Sequence, residues 1–351
     1  MKKELLIGTA LVSTLGAASV AEAVTATMSG NHQTGIEFDS PTGGSDTRAQ
    51  INDNNFTVSL SETTDGGMTI SSSFMLANED AVDGDLDAGF SLAFTDGSKM
   101  DLINAGNASG SHDISVPGSA GSEGVAVTSA NNAPTGLDFA TAGTVFGVEY
   151  HTASDFMADG LSMSFSISTD NGAAAGATYK NDGHVALGAT YVTDLGDTAL
   201  TIGAGYSQSE GAKTSTQLTS DDGGVHIGVS AVTGDLTVAV GFADGDTIAS
   251  DDTGRNNIQV DGEVVKAGVK YVTGDLTFNV GAVSGSAKDS ATIGTAGTTE
   301  DSNDQVSASV SYAVASGVTA ILGYTDVDSS NEGGNDTTDG SAWYIGANMS
   351  F

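Results

Sequence analysis

The chain carries 45 acidic side chains against 10 basic ones, with five histidines and no cysteine. Its reactive groups are therefore carboxylates, hydroxyls and imidazoles, and thiolate nucleophiles, thiolate metal sites and disulfides are excluded. A hydrolytic centre would need Ser or Asp held beside His. His32, His112, His151, His184 and His226 show no metal-ligand spacing, and neither H-E-x-x-H nor G-x-S-x-G occurs. No enzyme is expected. The carboxylates offer calcium chemistry instead, since Ca2+ takes several oxygen ligands from clustered acids and carbonyls. Asp83, Asp85 and Asp87 alternate, Asp221 adjoins Asp222, and Asp251 adjoins Asp252. The first run lacks the EF-hand glycine after Asp87 and has Phe94 where the bidentate glutamate belongs. Two readings of these acids stand: a solvated anionic surface, and loop tips that recruit Ca2+. Neither requires a cofactor. A formal charge of −35 repels nucleic acid and attracts cations.

The acids lie between segments of alternating hydrophobicity, which sets the chain apart from a disordered polyanion. One such unit is repeated. Residues 228–238, Gly-Val-Ser-Ala-Val-Thr-Gly-Asp-Leu-Thr-Val, return forty residues later as 268–278, Gly-Val-Lys-Tyr-Val-Thr-Gly-Asp-Leu-Thr-Phe, with looser copies near 188–202 and 309–312. Gly-Asp between two alternating runs is a hairpin signal. The period therefore holds a strand, a tight turn, a second strand and a polar loop. Val225, Ile227, Val229 and Ala231 share one face of a strand, and Val265, Ala267, Val269 and Tyr271 share another. Lys266 and Lys270 fall on the opposite face. Tyr191, Tyr271 and Tyr312 precede the short turns, while Tyr206, Phe242 and Tyr324 precede the long loops. Two aromatic levels at this spacing match the interfacial girdles of a membrane barrel.

The two ends of the chain agree with that address. Lys2 and Lys3 precede an apolar run over 5–18 and then Ala21-Glu22-Ala23, the pattern of a secretory signal removed after Ala23. At the other end Trp343, Ile345, Ala347, Met349 and Phe351 form the apolar face of a final strand. An exported chain with no further apolar helix can span a membrane only as a closed barrel. Fourteen clear strands are predicted, at 56–61, 68–76, 86–95, 144–152, 161–168, 185–192, 199–207, 225–232, 235–243, 264–272, 275–283, 305–313, 317–325 and 341–351. Two more, at 24–30 and within 35–52, would raise the total to sixteen, an even number as single-chain bacterial barrels show, with fourteen and eighteen as the alternatives. Short turns belong on the periplasmic side and long loops outside. The stretches 244–263, 284–304 and 326–340 are read as acidic external loops. The longest stretch without strand alternation, 96–143, is read as a functional loop.

A sequence with these hairpins, an export signal and a terminal phenylalanine resembles the Gram-negative general porins, in particular the trimeric porins of alphaproteobacteria. The resemblance spans residues 24–351 in pattern, and Phe351 is its most specific residue. It implies an all-β, transmembrane, antiparallel up-and-down barrel of sixteen strands in the outer membrane, assembled as a homotrimer. The third external loop, 96–143, would fold inward to narrow a water-filled channel through which ions and small hydrophilic solutes diffuse. It also implies that Phe351 serves as the insertion signal, read through the C-terminal strand by the barrel-assembly machinery. The candidate constriction residues are Lys99, Asp101, Asp113, Glu123 and Asp138 on the loop, faced by Arg48, Lys266 and Lys270 on the wall. A departure lies in the basic side, for such porins oppose an arginine cluster to acids, whereas residues 24–351 hold only Arg48 and Arg255. The acid excess predicts cation preference. The alternative class is a non-transporting structural or adhesive surface protein whose acidic loops bind Ca2+, with Asp83, Asp85, Asp87, Asp251 and Asp252 as ligands.

Overall fold

The computed structural model describes residues 24–42, 44–78, 89–102, 107–118, 147–169, 181–211, 221–250, 257–290, 299–330 and 339–351. The expected leader, 1–23, lies outside them. Sixteen antiparallel strands close on themselves, each paired with its neighbours in sequence and the first with the last. They are β1 (Thr25–Pro41), β2 (Thr47–Thr63), β3 (Thr69–Asn78), β4 (Phe90–Ala93), β5 (Lys99–Leu102), β6 (Gly147–His151), β7 (Leu161–Thr169) and β8 (Asn181–Leu195). The second half comprises β9 (Thr198–Gly211), β10 (Asp221–Thr233), β11 (Leu236–Ser250), β12 (Asn257–Thr273), β13 (Leu276–Ser290), β14 (Thr299–Ala315), β15 (Val318–Ser330) and β16 (Gly340–Ser350). Closure removes every sheet edge, which an open sheet in hydrocarbon could not tolerate.

The total matches expectation, but its composition differs. Residues 35–41 continue β1, and 47–52 continue β2 into the segment expected at 56–61. The sixteenth strand is β5, inside the stretch assigned to the long loop. Lys99 and Asp101 are therefore barrel-wall residues, and the loop begins after Leu102. Four residues are too few to show a periodicity. The acidic loops also shrink, because β11 runs to Ser250, β12 starts at Asn257, and β15 runs to Ser330. The alternation of apolar residues stops where the lipid stops, whereas the hydrogen-bonded ladder continues above it.

Local signals explain the hairpins. Gly234 and Gly274 take φ of +55° and +58° at the first central position of the β10–β11 and β12–β13 turns, the backbone that a two-residue primed turn demands. The β4–β5 turn is held by Asp96, whose carboxylate accepts from the Ser98 amide at 2.9 Å and its hydroxyl at 2.7 Å. These bonds favour the ionised form and hold the carboxyl below its ordinary range.

The outer face is apolar around most of the circumference: Phe165, Leu187, Ile227, Val240, Val265, Val280 and Leu322 are all exposed. Tyr191, Tyr271 and Tyr312 mark the level near the short turns, and Tyr206 and Phe242 the level near the long loops, as the two girdles require. Exposed apolar area on this scale is a surface for lipid. Trp343, Ile345, Met349 and Phe351 all join it. Phe351 and Gly30 exchange two backbone hydrogen bonds at 3.1 Å, and the Phe351 ring lies 6.1 Å from that of Phe56. The inner face holds small polar side chains, among them the buried Ser164, Ser166, Ser207, Ser307 and Thr325.

Candidate functional site

A segment beyond β5 in sequence lies inside the barrel. Residues 107–118 run along the inner wall from β7 to β13, with one 3-10 turn at Gly110–His112. Beyond it the segment is extended and alternates: His112, Ile114 and Val116 are buried against the wall, while Ser111, Asp113 and Ser115 are exposed to the lumen. Ile114 and Val116 pack on Ala239 of β11.

The wall is shaped to receive it. Gly188 of β8 approaches the Ala108 carbonyl and the His112 ring, and Gly203 of β9 approaches the His112 carbonyl. Gly228 of β10 lies under Ile114, and Gly268 of β12 and Gly281 of β13 both lie under the Pro117 carbonyl. A methyl group at Gly268 would occupy the position of that oxygen. Register makes this a track, since Gly188 stands opposite Gly205, Gly203 opposite Gly228, and Gly268 opposite Gly281. Glycine serves here for close backbone approach rather than for chain flexibility.

Hydrogen bonds fix the segment at its near end. The Ala108 amide donates to Ser166 Oγ at 2.9 Å, and Ser111 Oγ donates to Glu149 Oε1 at 2.6 Å. His112 bonds Thr190 Oγ1 through Nδ1 and Ser164 Oγ through Nε2, both at 2.7 Å. His226 Nε2 meets the Ser109 carbonyl at 2.9 Å, so that nitrogen carries the proton. Beside this seat Asp101 Oδ2 accepts from Lys99 Nζ at 2.7 Å and lies 3.0 Å from His151 Nε2, while His151 Nδ1 lies 2.8 Å from Ser164 Oγ. Acid, imidazole and hydroxyl are in the order of a nucleophilic relay. Ser164 is only 3% exposed, however, and its oxygen is already engaged by His112. No carbonyl substrate can reach it, and the relay anchors the segment.

Burial holds the His112 imidazole below its ordinary value of 6.5, helped by His151 and His226 and opposed by Glu149. The folded seat prefers the neutral ring, so its contribution is fully present above about 6.5 and is lost as the pH falls through the depressed folded value. The melting temperature should therefore fall as the pH is lowered from neutral through the depressed folded value. His112→Gln, which keeps one donor and one acceptor, should flatten that dependence. Parallel melting profiles of the two proteins would remove His112 from the account.

The expected site residues separate into groups. Lys99 and Asp101 meet on β5, and Asp113 is on the lumen side of the segment, in electrostatic contact with Lys266 of β12. Lys266 is half-buried and Lys270 exposed on the same inner face. Arg48 is not on that wall, because it stands opposite Phe38 on the outer face, its guanidinium 5.6 Å from the ring centroid. Residue parity along the continuous β2 dictates this. Glu123, Asp138, Asp83, Asp85, Asp87, Asp251 and Asp252 lie outside the described residues. Among the described residues no three acids or histidines converge as a metal site. Sequence reasoning missed Glu149 on β6 and the inward acids Glu37 and Asp53 on β1 and β2. The signal was parity: Glu149 lies two residues from His151 within the expected strand 144–152, whereas Glu37 and Asp53 needed β1 and β2 drawn at full length.

A sequence model of the Gram-negative porin family matches residues 8–332. No curated protein sequence matches. Solved structures do, and OmpT, an outer membrane protein of Vibrio cholerae in trimer form, superposes with a TM-score of 0.62 at 14% identity, covering 94% of this chain and 100% of that one. The anion-selective porin from Comamonas acidovorans gives 0.64 at 12% identity over 94% and 100% of the two chains. A porin refined at 1.8 Å resolution gives 0.62 at 17% identity over 93% and 100%. At such identities the likeness is one of fold.

Proposed function

Because the chain belongs to the Gram-negative porin family, and is thus an outer-membrane channel rather than an enzyme, we propose that it passes ions and small hydrophilic solutes by diffusion and prefers cations. The observation that carries this reading is the inward segment 107–118, which presents Asp113 and two serines to the lumen. Selection then comes from the width left beside it and the charges lining it. Fold alone does not set the sign, since the similar Comamonas protein is described as anion-selective. The inward charges favour cations here: Glu37, Asp53, Asp101, Asp113 and Glu149 stand against Lys99, Lys266 and Lys270. Charges at the narrowing outweigh those on distant loops, because screening limits their reach to about 8 Å at physiological salt.

The short turns are assigned to the periplasm and the long loops to the exterior, with residues 1–23 as the export signal and Phe351 as the insertion signal read by the barrel-assembly machinery. The assembly is a homotrimer, as the similar Vibrio protein is in its trimer form. The test is the reversal potential of the purified protein in a planar bilayer under a KCl gradient. A cation-directed potential is expected, and Asp113→Asn should lower the K+ to Cl− permeability ratio severalfold. An anion-directed potential would overturn the preference, and correctly folded protein without conductance steps would overturn the channel.

A further inference from the structure

Three imidazoles gather where the inward segment meets the wall, His112 lying within electrostatic reach of His151 on β6 and His226 on β10. Two of the rings share one hydroxyl, since His112 Nε2 and His151 Nδ1 both reach Ser164 Oγ, at 2.7 and 2.8 Å. One polarity satisfies the whole chain: Thr190 donates to His112 Nδ1, His112 Nε2 to Ser164, Ser164 to His151 Nδ1, and His151 Nε2 to Asp101. That arrangement requires a neutral His112. His226 Nε2 donates to the Ser109 carbonyl, while its buried Nδ1 has no hydrogen-bond partner among the described residues.

A second proton on His112 would fall on Nδ1 and turn Thr190 from donor to acceptor, leaving a cation on a side chain that is only 6% exposed. The groups around it do not compensate. From β5 come Lys99 and Asp101, already paired with each other, and from β6 come Glu149, which accepts from Ser111, and His151. His226 faces the ring from β10, and Asp113 follows it in the segment, turned to the lumen beside Lys266. The wall of β7, β8 and β9 presents Ser164, Ser166, Thr190, Gly188 and Gly203, which do not titrate, with His184 farther along β8. Burial and the other two imidazoles oppose the cation, and Glu149 favours it.

The far end is held differently, for Ile114 and Val116 pack on Ala239, and the Pro117 carbonyl lies on Gly268 and Gly281. None of those contacts titrates. We propose that the segment is a proton-operated gate hinged at its far end: acid releases residues 107–112 from the wall while 114–118 stay seated. The wall closes one side of the segment and the water-filled lumen lies on the other, so the released end can move only into the path of the solutes. Acid therefore obstructs the channel in bursts. The inference rests on the channel reading and adds a regulation to it.

The test is single-channel recording of the purified protein in planar bilayers at about 1 M KCl, where screening over about 3 Å mutes the effect of lumen charges on conductance. The pH is lowered from neutral to about 4, well below the ordinary histidine value. Steady steps at neutral pH and reversible flicker to smaller levels in acid are expected. His112→Gln, which can bond Thr190 and Ser164 without taking up a proton, should give the same record at both ends of the range. Amide exchange of the wild type, corrected for the intrinsic rate at each pH, adds a readout that needs no variant. Protection of residues 107–112 should fall severalfold in acid relative to that of 114–118 and of β10. Steady wild-type steps at every pH would overturn the gate alone, and so would acid flicker that His112→Gln retains. Where the variant flickers at every pH, wild-type protection unchanged in acid overturns the gate, and protection lost over 107–112 supports it. Folded protein without steps at any pH would overturn the channel reading and the gate together.

Discussion

Removing residues 107–118 and joining their flanks will raise single-channel conductance at least about twofold, because conductance follows the open area at the narrowest level. The segment is seated against seven consecutive strands and projects Ser111, Asp113 and Ser115 into the lumen. Its removal should widen the channel and reduce its ion preference together. A subtler variant reaches the same end from the wall. At Gly268 a leucine side chain would collide with the Pro117 carbonyl, which is backbone and cannot rotate away. Gly268→Leu should therefore unseat the far end of the segment while the near end remains tied at His112 and Ser109. Its conductance should be noisier than that of the wild type and variable between events. An unchanged conductance in both variants would mean that the narrowing lies elsewhere in the barrel.

Val280→Arg and Asn279→Arg place the same side chain one residue apart on β13, with opposite outcomes. Val280 is 53% exposed on the outer face, at a depth between the two aromatic levels, so arginine there should cost about 2–4 kcal/mol. Asn279 faces the lumen, where its amide donates to Ser309 Oγ at 3.3 Å. Arginine there stays hydrated, leaves folding nearly intact and weakens cation preference beside Lys270, which stands opposite it. Unfolding in urea, followed by the heat-modifiable shift on gels, separates the two. Equal stability of both variants would mean that this face of the barrel is not against lipid.

The lipid face was the most legible part of the chain, because hydrocarbon imposes one rule on every second residue. That is why Tyr191, Tyr271, Phe242 and the Trp343–Phe351 run could be placed in the sequence and all project outward. Strand ends were less legible, since beyond the lipid the ladder continues under residues of any polarity. β5 was invisible because its neighbours hold it more than its own pattern does. The inward segment was legible as a long loop and no further. Its seat depends on glycines of five strands meeting one extended stretch, a coincidence of register that no local window contains. Gly268 and Gly281 face each other across one hairpin, and nothing within that hairpin distinguishes them from ordinary strand glycines. Arg48 was misplaced because rarity, rather than parity, singled it out.

The strands that overrun the lipid carry outward carboxylates on a rigid lattice. Asp244 stands opposite Glu263, Asp246 opposite Asp261, and Asp304 opposite Asp328, with Lys288 set between Asp261 and Glu300. Facing like charges on adjacent strands repel, and the backbone ladder prevents them from moving apart. Relief must come from solution, as small cations condensed on the collar. The mouth of the barrel thus resembles a bead of ion-exchange resin, holding a mobile reserve of counterions whose local concentration is set by the protein when the surrounding water is dilute.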